Sequence, residues 1–456
     1  MNVRDRVFRE YDIRGVVGDD IDPGVAEAVG RAYGSELRAR LAESRPRVVV
    51  GEDNRPSSAA MRAGLVRGLR STGCDVVRLG MVPTPVTYFS EYEFAAAGAV
   101  QITGSHNPPE YNGIKMTMGK GSVYGDLIRR LLGRIRTGDL AAGDGGLETA
   151  DPLPAYVADV AGRFLPARPV KAVVDCGNGA GSVVAVDLLR AAGMEVVPLY
   201  CESDGTFPNH HPDPTVDECV QDLIAAVRSH GAEVGIGFDG DADRIGVVDE
   251  KGGIVRGDIL LLLFGLDLLR RRGPGQTLVF DVKCSQVLSE EFARAGGVPV
   301  MWKTGHSLIK EKMRETGAPL AGELSGHICF ADGYYGFDDA LYAACRLGAL
   351  LAASDRPLSE MAGALPAYAS TPELRIEVGE EDKFGLVERA REHFSARYDV
   401  IAVDGVRVMF GDGWGLIRAS NTQPVIVARY EAGTPARLGE IRETMEEWLR
   451  GQGVSV

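Results

Sequence analysis

Three stretches of the chain share one alternation of apolar runs and polar loops. A β-branched run that ends in a polar loop occurs at 47–56 (RVVVGEDNRP), 171–181 (KAVVDCGNGAG) and 277–286 (TLVFDVKCSQ). Each is followed by a stretch of helical character and a glycine-led second run: GCDVVRLG from Gly73, GMEVVPLY from Gly193 and GGVPVMWK from Gly296. A third run then closes each unit, AAAGAVQITGSH, GAEVGIGFDGDAD and GAPLAGELSGH in turn. Strand, helix, strand, helix, strand predicts a βαβ unit with a largely parallel sheet. The fold class is therefore α/β: three similar α/β domains with mixed, largely parallel sheets, plus a smaller C-terminal α+β domain. The expected boundaries are 1–149, 150–251, 252–366 and 367–456, with Gly143 to Pro154 read as a linker. The last segment lacks the triple pattern and shows ELRIEV, a charged amphipathic helix, further strand-like runs and a final helix ending EEWLRG. Sites in open α/β sheets form at the carboxyl ends of strands. Three equivalent loops, TGSHNPP, DGDADR and GELSGH, are thus expected to face a shared central cleft.

Composition narrows the classes of function. The chain has 456 residues, 45% hydrophobic and 25% charged, with a formal charge of −14. That balance disfavours a nucleic-acid or acidic-membrane binder, whose footprint is a basic stripe. The apolar run Ile259 to Leu266 is too short to span a bilayer, and the N-terminus has no apolar signal region. Seven cysteines without a CxxC pair read neither as a disulfide framework nor as a zinc site. A soluble, reduced, cytoplasmic protein is expected, with no nucleic-acid or membrane partner.

The loops carry the chemistry. In ITGSHNPPEYNGIK (102–115), Pro108 and Pro109 prevent a helix, and Gly104 and Gly113 are expected to permit unusual backbone angles around Ser105. A serine displayed on a constrained loop is a candidate nucleophile. It lies outside a GxSxG elbow, which weakens a hydrolase reading. His106, adjacent in sequence, reads as poorly placed to be its base. FDGDADRIG (238–246) sets Asp239, Asp241 and Asp243 at alternate positions between two apolar runs. Three such anions repel unless a cation gathers them, and hard oxygen ligands suit Mg²⁺ or Ca²⁺. An EF-hand is rejected, because Arg244 stands at the sixth position where glycine is needed and the flanks read as strands. A divalent ion beside a serine points to phosphoryl transfer. GELSGH (322–327) offers Glu323 and Ser325 to sugar-like hydroxyls. KTGHSLIK places His306 in a glycine turn, and WGLIRASNTQP joins Arg418 to Ser420, Asn421 and Thr422 as a phosphate cradle. YDIRG places Arg14 near the start of the chain.

Taken in order, YDIRG, TGSHNPPEYNGIK, DGDADR, KTGHSLIK, GELSGH and RASNTQP resemble the α-D-phosphohexomutases over essentially the whole chain, and most of all their bacterial phosphomannomutase/phosphoglucomutase branch. The resemblance implies a four-domain enzyme that interconverts hexose 1-phosphate and hexose 6-phosphate through a phosphoserine and a hexose 1,6-bisphosphate. It makes Ser105 the phosphorylated residue, and has Asp239, Asp241 and Asp243, with Ser105, hold one Mg²⁺ per chain. Glu323 and Ser325 would read the sugar hydroxyls, and Arg418, Ser420, Asn421 and Thr422 the non-reacting phosphate. Arg14, Lys115, Arg244, Lys283, His306 and His327 would line the cleft, with Lys115, His306 or Arg14 assisting proton transfer. Glucose 1,6-bisphosphate is the implied activator, and a monomer or weak homo-oligomer the implied state. Ala242 departs from the resemblance, since glycine is common there; its methyl group is expected to be tolerated on a negative φ. A phosphoglucosamine mutase, a metal-dependent phosphatase and a non-catalytic sugar-phosphate binder are the alternatives.

Overall fold

The computed structural model describes residues 3–379, 381–421 and 423–456. The chain divides into two compact units, one formed by residues up to Leu260 with Ser325–Met361, the other by Leu261–Leu324 with Ala362–Val456.

The first unit holds two sheets. In the first, parallel strands Gly98–Ile102, Arg47–Glu52, Asp75–Met81 and Leu147–Thr149 lie in that order, and antiparallel Tyr111–Met118 and Ile13–Val16 extend it. In the second, Lys171–Asp175 lies between Glu195–Leu199 and Val234–Phe238, all parallel, and Ile245–Asp249 returns antiparallel. The central strands are buried on both faces, which is why they read as unbroken apolar runs. The stretch read as a linker contains the edge strand Leu147–Thr149, whose exposed residues leave no apolar signal.

A core of this unit joins the first sheet to the helices Pro23–Leu41 and Ser58–Ser71 through Val29, Tyr33, Val48, Val50, Leu65 and Val100. Fully burying side chains of this kind contributes about 1.5–3 kcal/mol each. Asp22 caps the first helix by accepting from the Val25 N–H at 2.7 Å, with Pro23 at the first helical position.

A third feature of the unit is acidic. Asp339 caps the helix Ala340–Ala352, accepts from Tyr156 and Tyr334 hydroxyls at 2.9 and 2.6 Å, and is fully buried among aromatic rings. Burial pushes its carboxyl up to about 6, despite the hydrogen bonds from Tyr334, Tyr342 and Tyr156 that favour the anion. The folded value lies above the ordinary one, so the folded protein holds this proton more tightly than the unfolded chain does. Stability from this group is therefore lost as pH rises from about 4 through about 6, by up to about 3 kcal/mol. Asp339→Asn is expected to flatten that part of the stability-versus-pH curve, as read by urea unfolding between these values.

In the second unit, Val298–Trp302, Thr277–Asp281 and Leu320–Gly322 form the third parallel set. The C-terminal part is an antiparallel sheet of Ala369–Ser370, Leu374–Glu377, Val425–Ala432, Gly413–Ala419, Val406–Met409 and Asp399–Ile401. Its core packs Phe394 and Leu386 of the helix Lys383–Ser395, and Met445 and Leu449 of Pro435–Gly451, on Ile417 and Tyr430.

Candidate active site

Ser105 follows the buried strand Gly98–Ile102 and is itself buried. Its own φ is +51°, so the serine, and not Gly104 or Gly113, takes the left-handed conformation. The glycines serve close approach instead. A Cβ on Gly104 would lie 2.4 Å from Arg55 Nε, and one on Gly113 2.6 Å from the Ile13 carbonyl oxygen. The Ser105 N–H donates to Thr103 Oγ1 at 2.8 Å. Ser105 Oγ donates to Asp239 Oδ2 at 2.9 Å and lies 3.1 Å from His106 Nδ1. The neighbouring imidazole therefore does reach the hydroxyl, against the sequence expectation, because the left-handed turn brings successive side chains together. Burial, reinforced by Arg244, Arg14 and Lys115, holds His106 well below the usual imidazole range, so the ring is neutral.

The three aspartates occupy the turn between the antiparallel strands Val234–Phe238 and Ile245–Asp249, so the flanks are strands, as read. All three are fully buried, and ligand atoms from each lie within 4.8 Å of one another. Asp239 Oδ1 accepts the backbone N–H groups of Asp243 and Arg244 at 3.1 Å each. Asp241 Oδ2 accepts from Thr84 Oγ1 at 2.5 Å and from Lys115 Nζ at 2.7 Å, and Lys115 also donates to Asp243 Oδ2. Burial and then the charges of Asp241 and Asp243 push the Asp239 carboxyl well up. For Lys115, burial is outweighed by the same carboxylates, and its ammonium is held above the usual range. A buried oxygen of Asp241, Oδ1, has no hydrogen-bond partner. Hard oxygen donors that repel one another, with one carboxylate oxygen left over, fit a small divalent cation. A Cβ on Gly240 would lie 2.3 Å from the Ser105 carbonyl oxygen, so a side chain there would separate the two loops.

Arg244 Nε lies 3.3 Å from His327 Nε2, which is 3.2 Å from Asp243 Oδ1. Ser325 Oγ is 3.3 Å from His327 Nδ1, and the Ile245 N–H donates to the Gly326 carbonyl at 3.1 Å. Arg14 sits on the strand beside Gly113, pairs with Asp12, and its charge bears on His106. Ser105, Lys115, the three aspartates, Arg244, Ser325, His327 and Arg14 thus gather in one unit.

The other expected residues gather in the second unit. Glu323 Oε1 accepts the Gly305 N–H at 2.6 Å, just before His306 opens the helix His306–Thr316. Lys283 pairs with Glu373 at 2.5 Å and lies 3.8 Å from Asp281. Although burial opposes it, the charge of Lys283 and its hydrogen bond draw the Glu373 carboxyl down to about 2. Arg418 Nε donates to Asp404 Oδ2 at 3.0 Å, and the same oxygen accepts the Thr304 N–H at 3.0 Å. Ser420 and Asn421 lie on the turn after the strand Gly413–Ala419. Thr422 lies outside the described residues.

Four consecutive segments match the description "Phosphoglucomutase/phosphomannomutase": 5–138, 154–253 and 256–368 as its alpha/beta/alpha domains I, II and III, and 373–447 as its C-terminal domain. The chain belongs to this family. It is 46% identical over 445 residues to the phosphomannomutase/phosphoglucomutase of Pseudomonas aeruginosa, covering 97% of this chain and 95% of that one. To the phosphoglucomutase of Neisseria gonorrhoeae it is 43% identical over 442 residues, 96% and 95% of the two chains. The crystal structure of a phosphoglucomutase/phosphomannomutase family protein from Burkholderia thailandensis superposes with a TM-score of 0.93 at 43% identity, covering 99% and 98%. The phosphohexomutase architecture, three α/β domains and a smaller C-terminal one, is accordingly that of this chain.

Against the family pattern, Ala242 has φ +58°, contrary to the negative angle expected. Its methyl is fully buried, and Gly181 makes room for it, since a Cβ there would lie 3.2 Å from Ala242 Cβ. Replacing Ala242 with glycine relieves roughly 1–2 kcal/mol of left-handed strain but loses a buried methyl, about 0.8 kcal/mol, and gains unfolded-state entropy. Ala242→Gly is therefore expected to change stability by less than about 1 kcal/mol in either direction, read by urea unfolding. A larger loss would mean the methyl packs more tightly than these terms allow. Sequence reasoning also missed Thr84, Asp404 and Glu373, which hold Asp241, Arg418 and Lys283. Thr84 stands between two prolines, a weak signal; the two carboxylates carried none.

Proposed function

We propose that this phosphohexomutase family member interconverts hexose 1-phosphate and hexose 6-phosphate, of mannose, glucose or both, by way of phospho-Ser105 and a hexose 1,6-bisphosphate. The observation that carries the reading is the 2.9 Å hydrogen bond from Ser105 Oγ to Asp239, one of three buried carboxylates gathered on a single turn. A hydroxyl held there can carry a phosphoryl group; Lys115 pairs with only two of the three buried carboxylates, and Asp241 Oδ1 is left without a hydrogen bond, which leaves a place for a further cation.

Ser105, Asp239, Asp241 and Asp243 would hold Mg²⁺. When bound, the ion neutralises phosphate oxygens and stabilises the charge that spreads in the transition state. In the first half-reaction the bond from phosphorus to Ser105 Oγ breaks as a bond to the free sugar hydroxyl forms and the hydroxyl gives up its proton, a transfer that Lys115, His306 or Arg14 would assist. In the second, the other phosphate returns to Ser105. Glu323 and Ser325 read the sugar hydroxyls, and Arg418, Ser420, Asn421 and Thr422 hold the phosphate that does not react. Lys283, His327 and Arg244 complete the surroundings, and domain boundaries near 149, 251 and 366 belong to the same reading. An N-acetylphosphoglucosamine mutase from Aspergillus fumigatus, 14% identical with a TM-score of 0.65, shares the fold and was solved with glucose 1,6-bisphosphate.

Intact mass with phosphosite mapping tests the reading, followed by assays on glucose 1-phosphate and mannose 1-phosphate with Mg²⁺. Phosphate on Ser105 and isomerisation stimulated by catalytic glucose 1,6-bisphosphate are expected. Steady release of inorganic phosphate would make the protein a phosphatase instead. No isomerisation of either sugar phosphate would remove the proposal.

A further inference from the structure

We infer that Arg55 is a positioning residue of the phosphoryl-transfer site, its guanidinium fixing the left-handed backbone of Ser105 and the loop that carries it. The inference rests on the mutase reading for its kinetic consequences, and on geometry alone for the clamp.

Arg55 follows the strand Arg47–Glu52, and its side chain is completely buried. A guanidinium has five N–H donors in a planar fork. Here all five have acceptors. Nε donates to Asp53 Oδ2 at 3.1 Å; Nη1 donates to the carbonyls of Pro108 at 2.5 Å and Tyr111 at 3.0 Å; Nη2 donates to those of Ser105, at 2.7 Å, and Asn107. Apart from Asp53, every acceptor belongs to the serine loop. The loop is gripped from its other side as well, because Asp53 Oδ2 accepts the Gly104 N–H at 3.0 Å. Asp53 Oδ1 is tied in turn by the Arg55 N–H at 3.0 Å and by Ser58 Oγ.

The plane of the fork is boxed in. Gly104 packs against one part of it, and the ring of Phe207 lies 5.1 Å from the guanidinium carbon. Gly205 supports the same approach, since a Cβ there would lie 2.1 Å from the Asn54 carbonyl oxygen.

This arrangement does two things for a phosphoryl carrier. First, a non-glycine residue at φ +51° persists only where its surroundings over-determine it. The bond to the Ser105 carbonyl, with that of Thr103 to its N–H, supplies the constraint on both sides of the residue. Second, four carbonyl oxygens gathered on one short loop repel one another and repel a phosphoryl dianion. Oxygens committed to the guanidinium cannot turn toward the anion on Oγ. Lysine, a point charge with three donors, cannot satisfy the same set.

The test uses Arg55→Lys and Arg55→Ala in the full chain, with glucose 1-phosphate and Mg²⁺. Arg55→Lys is expected to lower kcat on the order of 100-fold while KM stays within about threefold, the signature of a misplaced reacting group and not of lost substrate contacts. Free guanidinium at non-denaturing concentration is expected to restore part of the Arg55→Ala activity and none of the Arg55→Lys loss. Hydrogen exchange is expected to quicken in 103–112 and stay unchanged in 171–181. Should Arg55→Ala not fold, Arg55→Lys carries the test alone. A kcat for Arg55→Lys close to wild type overturns the inference. So does a loss that tracks lowered thermal stability, with exchange raised throughout and no rescue of Arg55→Ala by guanidinium. The exchange measurement needs no sugar, so a wild-type protein inactive on both hexose phosphates would sink the mutase reading while still deciding whether the clamp exists.

Discussion

Ser105→Ala is expected to lower kcat by roughly 10⁴-fold or more while leaving the protein folded and able to bind glucose 6-phosphate. The substitution removes one atom, Oγ, and keeps the Cβ, so the strain of the left-handed backbone is unchanged. What it removes is the donor to Asp239 and, in the mechanism we propose, the group that forms and breaks the bond to phosphorus. Leaving that carboxylate with one donor fewer costs about 1–3 kcal/mol, while its other oxygen keeps the Asp243 and Arg244 N–H donors. The measurement is a coupled assay with calorimetric titration of glucose 6-phosphate and intact mass of the variant. Binding within a few-fold of wild type, no phosphoryl adduct and residual turnover near background are the expected set. Turnover close to wild type would take Ser105 out of the chemistry altogether.

Lys115→Met carries the second large effect, and it separates stability from activity. The ammonium of Lys115 is the direct counter-charge to Asp241 and Asp243, and all three side chains are buried. Removing one partner from a buried ion cluster costs about 3–5 kcal/mol, because the remaining charges stay uncompensated. In EDTA the variant is therefore expected to melt about 5–10 °C below wild type. Mg²⁺ supplies the missing positive charge, and at 100 times its dissociation constant contributes about 2.7 kcal/mol. Part of the deficit is expected to disappear on adding the metal, because the variant, lacking the ammonium that competes for the same carboxylates, binds the metal more tightly and shifts more than wild type does. Activity should not return with it. In the proposed mechanism Lys115 is one of three groups that can assist proton transfer, a role worth roughly 10²–10⁴ in rate, and the metal cannot replace its place on the strand. Equal melting of variant and wild type in EDTA would show that Lys115 is not the counter-charge the geometry makes it.

Much of this was legible in the sequence, for identifiable reasons. The three βαβ units announced themselves because strands covered on both faces need apolar residues at every position, and such runs stand out. The serine, aspartate and glycine loops were legible because their residue types make little sense as ordinary turns. Other features hinge on quantities that no periodicity encodes. The φ of Ala242 is set by the turn joining Phe238 to Ile245, not by alanine's own preference. His106 reaches Ser105 only because that serine is left-handed. Arg55 meets carbonyls 50 and more residues away, and Thr84 meets an aspartate 157 residues on. Contacts of that range follow from how strand ends converge, which the sequence expresses only through the fold.

The close passage of Gly240 against the Ser105 backbone also bears on how this scaffold can change. Where two main chains run with no space for a methyl group, a side chain added on one displaces the other, so the aspartate turn and the serine loop are tied to one position. In the function we propose, retuning for another sugar would then fall to side chains elsewhere, around Lys283, Glu323 and Arg418, where altered contacts leave that block untouched.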